Sequence, residues 1–225
     1  MAEHYGSTEK MTQRAELKLQ SRDKILTAAG QRLRSEGIHG AGISAVMADA
    51  GLTHGAFYSH FKNKDELARA ALVHALKDNR QGWIGKPKKE SWARRLGRLA
   101  KRYLTPAHRR SLSDSCALAS LSSEAGRADG AFKHTYEQEL LKSLSDICQQ
   151  DFDQADPKQA EEALAFMSLM VGSITLSRAV DSKELSDRLL AAGQNAATHL
   201  AAQSQANDQL RNKNTDQGES NTISS

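Results

Sequence analysis

The chain has 225 residues, of which 39% are hydrophobic and only three are proline. This composition favours an all-helical fold, and the two cysteines form neither a disulfide framework nor a zinc-binding spacing. The N-terminal residues contain no apolar run of the kind that a secretory signal needs, so we expect a cytoplasmic protein.

Charge is distributed unevenly along the chain. Residues 1–80 carry 12 Lys and Arg against 9 Asp and Glu, residues 81–110 carry 10 against 1, and residues 111–225 carry 9 against 17. A basic first half followed by an acidic second half fits a protein that places one end on a polyanion.

The first predicted helix follows a polar segment, residues 1–20, which we predict to be a flexible tail. The alternative is that this segment is helical. Its basic residues, which recur every four positions, would then share one face of the helix, and that face would lie along a phosphate backbone. Those residues are Lys10, Arg14, Lys18 and Arg22. Ser21 is the predicted N-cap of the helix that follows, and that helix is expected to end near Gly37.

Residues 43–61 have the pattern of a helix-turn-helix. An apolar face at three- and four-residue spacing, from Ile43 to Ala50, is followed by Gly51, a residue that ends helices by adopting left-handed backbone angles. Ser44 is expected to cap the first short helix, and Thr53 is expected to cap a second one. The second helix would bury Phe57 and Phe61 and leave a polar side for a DNA groove.

The next helix is predicted to start with a capping box formed by Asn63 and Glu66 and to run to about Gln81. After a break at residues 82–87, residues 90–104 predict a helix with Arg94 and Arg95 among the basic residues on its outer side. We favour a solvated face, or a contact with the acidic half, for these charges, and keep a second DNA-binding surface as the alternative.

Later helices are predicted over residues 112–126, 130–150, 157–180 and from the cap at Ser182 to about residue 203. Residues 163–180 are too polar and slightly short for a bilayer span, so we interpret them as a buried helix and expect no membrane association. Apolar residues on almost every side of that helix predict a homodimer through residues 157–203. Residues 204–225 predict a disordered tail.

The stretch Thr53-His-Gly-Ala-Phe-Tyr-Ser-His-Phe61, with Lys62-Asn-Lys-Asp-Glu-Leu67 after it, resembles the signature of the TetR/AcrR family of transcriptional regulators. The resemblance is specific over residues 22–77. It implies a three-helix DNA-binding domain at residues 21–66 and a larger helical ligand-binding and dimerisation domain at residues 67–203.

The resemblance also implies roles for individual residues. Phosphate contacts would fall to Ser44, Thr53, Tyr58, His60 and Lys64. Base contacts would fall to His54 and Gly55, together with Ala56 and Ser59. His54 stands where the family often has lysine.

A family member of this kind would be a repressor that binds a palindromic operator as a dimer and is released by a small-molecule inducer. The helix from Asp65 to Gln81 would transmit the change. The candidate inducer lining consists of aromatic, methionine, leucine and cysteine side chains, although rows of such side chains on a helix usually belong to the hydrophobic core. It comprises Trp83, Trp92, Tyr103, Leu104, Cys116, Phe132, Tyr136, Phe166, Met167 and Met170.

Two other interpretations remain open. Residues 115–124 resemble the cysteine-containing helix of the NemR-like branch, which includes an electrophile sensor, and a helix start favours a reactive thiolate at Cys116. A helical protein-interaction module is the second. We expect no enzyme, no cofactor and no metal site, because the sequence has no phosphate loop, nucleophile elbow or metal-ligand spacing.

Overall fold

The computed structural model describes residues 3–40 and 42–220, with side chains described for residues 13–40, 42–200 and 202. Over these residues it is helical without a strand, which confirms the predicted all-α class. The helices are α1 Glu3–Gly40, α2 Ile43–Asp49, α3 Lys64–Trp83, α4 Trp92–Tyr103, α5 Pro106–Arg110, α6 Ala117–Ala125, α7 Gly130–Cys148, α8 Pro157–Ala179 and α9 Lys183–Ser220, with short 3-10 helices at His54–Ser59 and Phe152–Gln154.

The chain forms two compact units. The first unit contains Met1–Arg80 and Ser111–Leu141, and the second contains Gln81–Arg110 and Lys142–Ser225. This division differs from the border expected after residue 66, because α6 packs on α1 and so belongs with the helix-turn-helix. Helices α3 and α7 each contribute residues to both units.

Both terminal helices extend into segments where the sequence predicts tails. Helix α1 begins at Glu3, and the Ser21 hydroxyl donates to the Leu17 carbonyl at 2.8 Å inside the helix instead of capping its start. Helix α9 continues to Ser220. Both segments are almost free of Gly and Pro, so a helix that has already formed can propagate through them. Residues 1, 2 and 221–225 of the expected tails lie outside the described residues.

Helix α1 ends its regular geometry at Gly37, as predicted, with φ of +81°. The Glu124 carboxylate of α6 accepts a hydrogen bond from the Ile38 amide at 2.7 Å and lies 2.6 Å from where a Cβ on Gly37 would be. Position 37 therefore requires glycine for two reasons: its φ angle is positive, and the Glu124 carboxylate occupies the space that a Cβ would need.

The caps of the later helices follow the sequence closely. Asn63 accepts from the Glu66 amide at 2.8 Å, and the Glu66 carboxylate accepts from the Lys62 amide at 2.8 Å. Ser182 accepts from an amide of α9 at 3.2 Å. Asp156 accepts from two amides of α8, which has proline in its first turn.

In the second unit, α9 packs closely against α8 and α4. A Cβ on Gly193 would lie 2.7 Å from Leu104 Cδ1 and 2.8 Å from Ser173 Cβ, so only glycine permits this approach. By contrast, a Cβ on Gly172 of α8 would meet no atom within 4 Å. Gly193 therefore lies in a packed helix contact, whereas Gly172 lies on an open surface of α8.

Arg95 is buried, which corrects the prediction that it lies outside with Arg94. Its side chain is 3% exposed, and its guanidinium donates to the carbonyls of Ile147 and Asp146, both at 2.6 Å. These carbonyls belong to the last turn of α7, where no further helical amide is available. A positive charge at a helix C-terminus also favours the helix dipole.

Helix α8 has the length and apolar composition of a membrane span, which corrects the estimate that it is too short and too polar. Of its most apolar 18-residue stretch, 33% is buried. A core helix of a soluble protein meets the same criteria, so length and composition alone do not indicate a membrane. Leu164 and Leu176 are 46% and 55% exposed. Helix α8 is therefore only partly buried within one chain, although the sequence predicts a buried helix.

Candidate nucleic-acid interface

The turn after α2 is closed by backbone hydrogen bonds. The Leu52 amide donates to the Met47 carbonyl at 2.9 Å, and the Gly51 amide donates to the Ala48 carbonyl at 3.0 Å. Gly51 has φ of +68°, which confirms its predicted left-handed geometry. These two bonds form a Schellman motif, which fixes the direction in which the chain leaves α2.

The second helix of the motif is a 3-10 helix of six residues, His54–Ser59, where the sequence predicts an α-helix. Such tight helices are stable only in short pieces. Phe57 and Phe61 anchor it with 0% and 2% exposure, as predicted, and their ring centroids are 5.9 Å apart. Thr53 holds the N-cap position, but its side chain makes no capping hydrogen bond.

Most of the predicted DNA contacts share one exposed face. Tyr58 is 65% exposed, although it follows the fully buried Phe57 directly. Gly55 has open space around it, since a Cβ there would meet no atom within 4 Å. The exposed members of the set are Ser44, Thr53, His54, Gly55, Tyr58 and Ser59, while Ala56, His60 and Lys64 are half-buried.

Three of the polar side chains on this face already make hydrogen bonds within the protein. The Ser44 hydroxyl lies 3.1 Å from His54 Nδ1, which links α2 to the 3-10 helix. Ser44 therefore does not cap α2, whose N-cap residue is Gly42. The Ser59 hydroxyl donates to the Ala56 carbonyl at 2.7 Å.

Arg22 of α1 supports the end of this element, a role that the sequence analysis did not identify. Its guanidinium donates to the His60 carbonyl at 3.1 Å and lies 4.4 Å from the centre of the Phe61 ring. The contact joins residues 38 positions apart, so no local pattern could have indicated it.

His60 and Lys64 lie beside this support. Burial lowers the pKa of His60, and the nearby Lys18 and Arg22 lower it further, so the surroundings favour the neutral ring. The buried Nδ1 of His60 has no hydrogen-bond partner among the described residues. Lys64 Nζ donates to the His39 carbonyl at 2.9 Å.

The candidate inducer residues of the second unit are mostly core. The Trp83 indole donates to the Leu99 carbonyl at 3.0 Å, and its ring lies 4.5 Å from that of Tyr103. Trp92 is half-buried, and its indole donates to the Glu162 carboxylate at 2.6 Å. Leu104, Phe166, Met167 and Met170 are buried, with exposures of 0%, 0%, 3% and 0%.

Three further candidates lie in the first unit, so the full set does not form one lining within either unit. Cys116 is 1% exposed and is the residue just before α6. Phe132 is 3% exposed and lines a cavity of about 680 Å³ that also includes Lys64, Glu124 and Arg127. The Tyr136 hydroxyl donates to the Leu118 carbonyl at 2.8 Å, and burial raises the pKa of its phenol.

No group of three or more His, Cys, Asp or Glu side chains in the described part of the chain could hold a metal ion.

Comparison with known proteins finds a family model that matches the N-terminal part of the chain. Residues 25–71 match the family model described as bacterial regulatory proteins, tetR family. No curated protein sequence shows significant similarity to the chain.

Several solved structures share the fold of most of the chain. A TetR transcriptional regulator from Chloroflexus aurantiacus has a TM-score of 0.65 at 20% identity and covers 83% of this chain and 95% of its own. Reduced NemR from E. coli has a TM-score of 0.62 at 17% identity and covers 78% and 95%. AibR, solved with isovaleryl coenzyme A and operator DNA, has a TM-score of 0.52 at 15% identity and covers 76% and 96%.

Proposed function

We propose that this chain belongs to the tetR family of bacterial regulatory proteins, whose family model matches residues 25–71. On that premise it is a cytoplasmic, ligand-responsive repressor. It binds a palindromic operator as a homodimer and leaves it when a small molecule binds. The observation that carries the proposal is the 3-10 helix with the two residues after it, a segment that buries Phe57 and Phe61 and turns a hydroxyl- and imidazole-bearing face to solvent. That face offers the donors that bind phosphates and base edges.

The side chains on this face divide by chemistry. Tyr58 and Thr53 are exposed hydroxyls that suit phosphate oxygens, and Lys64 supplies a positive charge at the start of α3. His54 is exposed and held by Ser44, so its orientation is fixed before DNA arrives. The open space around Gly55 lets the backbone approach a base edge or a thymine methyl group.

Operator binding is tested first by footprinting the protein upstream of its own gene. On the operator so defined, Tyr58→Phe should weaken binding to all sequences by a similar factor, whereas His54→Ala should change sequence preference. The reverse pattern would contradict the assigned roles. Gly55→Ala is a matched test, because the free protein has room for the methyl group. It should keep the melting temperature and lose operator affinity.

The exposed side of α8 and α9 supports a homodimer through residues 157–203. Leu164 and Leu176 of α8 and Leu185 of α9 are 46%, 55% and 43% exposed. Small residues such as Gly172 lie among them and permit close helix approach. Exposed apolar side chains at helical spacing mark a surface that a partner covers. A dimer would place two recognition elements about 34–36 Å apart, or somewhat more, in successive major grooves.

Release by a ligand would follow a population shift. A ligand bound in the second domain would favour a conformer whose recognition elements no longer match the groove spacing, and α3 would carry the change. The candidate lining residues remain the ten named from the sequence, seven of which lie in the second unit and three in the first. AibR, a structural relative, was solved with both isovaleryl coenzyme A and operator DNA. Titrating small-molecule libraries into the operator complex and measuring dissociation tests this step.

The burial of Cys116 favours a reversible ligand over thiol chemistry as the signal. An electrophile needs access to the sulfur, and this thiol is 1% exposed. Alkylation that abolished operator binding in the wild type, but not in Cys116→Ser, would favour thiol sensing instead. A protein-interaction module is the remaining alternative. Duplex binding that falls steeply with salt would exclude it.

A further inference from the structure

A second set of basic side chains lies in the second unit, away from the helix-turn-helix sequence. Residues 81–110 contain ten Lys and Arg. Arg95, Arg98 and Arg109 are committed to internal contacts with the α7 end, Glu90 and Asp187. The remaining seven are all exposed. Arg110 lies in α5, and the other six, here called the basic strip, are Lys86, Lys88, Lys89, Arg94, Lys101 and Arg102.

The contacts of the segment before α4 make the basic strip one surface. At one end, the Arg102 guanidinium donates to the Gly82 carbonyl at 2.5 Å. At the other end, the Arg98 guanidinium binds the Glu90 carboxylate at 2.5 Å. Residues 82–90 are thus fixed alongside the outer face of α4. The lysines of this segment and the cations of α4 share a surface about as long as the helix, roughly 18 Å for its twelve residues.

Among the described residues, no ion pair neutralises the positive charge of the basic strip. Glu90 is the single acidic residue of this segment, and its carboxylate is occupied by Arg98 and lies 3.6 Å from Arg95. The hydrogen bond from Arg98 lowers the pKa of Glu90, so the pair stays ionised and its charges offset each other. The six cations of the basic strip form no ion pair with any described residue.

We infer that the basic strip binds the phosphate backbone of duplex DNA without sequence preference, as a contact separate from the recognition helix. Several exposed lysines and arginines on one surface suit a backbone that carries one charge about every 1.7 Å of helix axis. Single-stranded nucleic acid is a poorer match, because it needs exposed aromatic rings for base stacking. Trp92, the aromatic residue of residues 84–102, is half-buried and engaged with Glu162.

The test compares two variants that lose the same charge. The first is Lys86→Gln/Lys88→Gln/Lys89→Gln in the basic strip, and the second is Lys77→Gln/Arg127→Gln/Lys133→Gln, at exposed positions outside the strip and outside residues 157–203. Fluorescence anisotropy with a random-sequence duplex measures affinity against salt concentration. The strip variant should bind more weakly and lose about 0.9 from the slope of log K against log[salt] for each phosphate contact removed. The control variant should keep the wild-type slope.

A second measurement separates this inference from the proposed function. On the operator alone, both triple variants should bind alike. On the operator extended by about two helical turns, roughly 21 bp, the strip variant alone should lose affinity. Equal losses in both variants would mean that net charge alone matters and would overturn the inference, as would an unchanged strip variant. Absence of operator binding by the wild type would instead refute the proposed function.

Discussion

Replacing Arg95 by methionine should destabilise the second unit far more than the same change at its neighbour Arg94. The two hydrogen bonds from the Arg95 guanidinium, each 2.6 Å long, satisfy carbonyls in the last turn of α7. Bonds from a charged group contribute about 1.5–3 kcal/mol each. The burial cost of the guanidinium, whose Nη1 has no hydrogen-bond partner, offsets part of this gain.

Methionine keeps the apolar stem of Arg95 and removes the charge, so the net loss should be about 2–4 kcal/mol. Arg94 is exposed, and its replacement by methionine should change the free energy of unfolding by no more than about 0.5 kcal/mol. Urea unfolding at one fixed protein concentration measures both variants, since association makes stability depend on concentration. A loss below about 0.5 kcal/mol for Arg95→Met would refute the assignment of this side chain as the cap of α7.

Three other substitutions follow from the contacts. Gly172→Leu should leave the folded monomer intact and shift the dimer to monomer in analytical ultracentrifugation. Gly193→Leu should instead lower the free energy of unfolding by about 1–3 kcal/mol or more, because the larger side chain overpacks the core. An intact dimer in the Gly172→Leu variant would exclude the surface around Gly172 as the dimer interface. Arg22→Met should lose about 1–2 kcal/mol, because a hydrogen bond and a guanidinium–ring contact disappear, and operator affinity should fall with it; unchanged affinity would show that α1 does not support the recognition helix. The lowered pKa of Glu90 stabilises the folded state above the ordinary glutamate pKa of about 4.3, and this contribution is lost as pH falls through the folded-state pKa. Glu90→Gln should therefore flatten the acid limb of a stability-against-pH curve and cost up to about 1 kcal/mol at neutral pH; an acid limb as steep as that of the wild type would contradict it.

Local signals in the sequence predicted the parts of the fold that depend on near neighbours. The left-handed turn at Gly51, the capping box of Asn63 and Glu66, and the two buried phenylalanines all act within about five residues of each other. The structure contains each of them. Their chemistry is decided by backbone angles and hydrogen bonds that a short stretch makes with itself.

Contacts between distant segments were not predictable in this way. Arg22 and His60 are 38 residues apart, and Ile38 and Glu124 are 86 apart, so no spacing links them. Arg95 is different, because it lies at the helical period of the buried Leu99. Counting charge alone placed Arg95 outside, whereas periodicity would have indicated a buried position that needs acceptors.

The hydrogen bond between Glu124 and the Ile38 amide ties the far end of a stiff segment to the first helix. Helix α6 spans nine residues, so it is about 13 Å long, with Cys116 just before one end and Glu124 in its last turn. A helix this short shifts as one rod. A displacement of the cysteine end along the helix axis would therefore move the carboxylate away from the Ile38 amide, and an amide left without an acceptor costs about 1–3 kcal/mol. A change at Cys116 would thus reach Ile38, where the chain leaves α1 and leads into the helix-turn-helix.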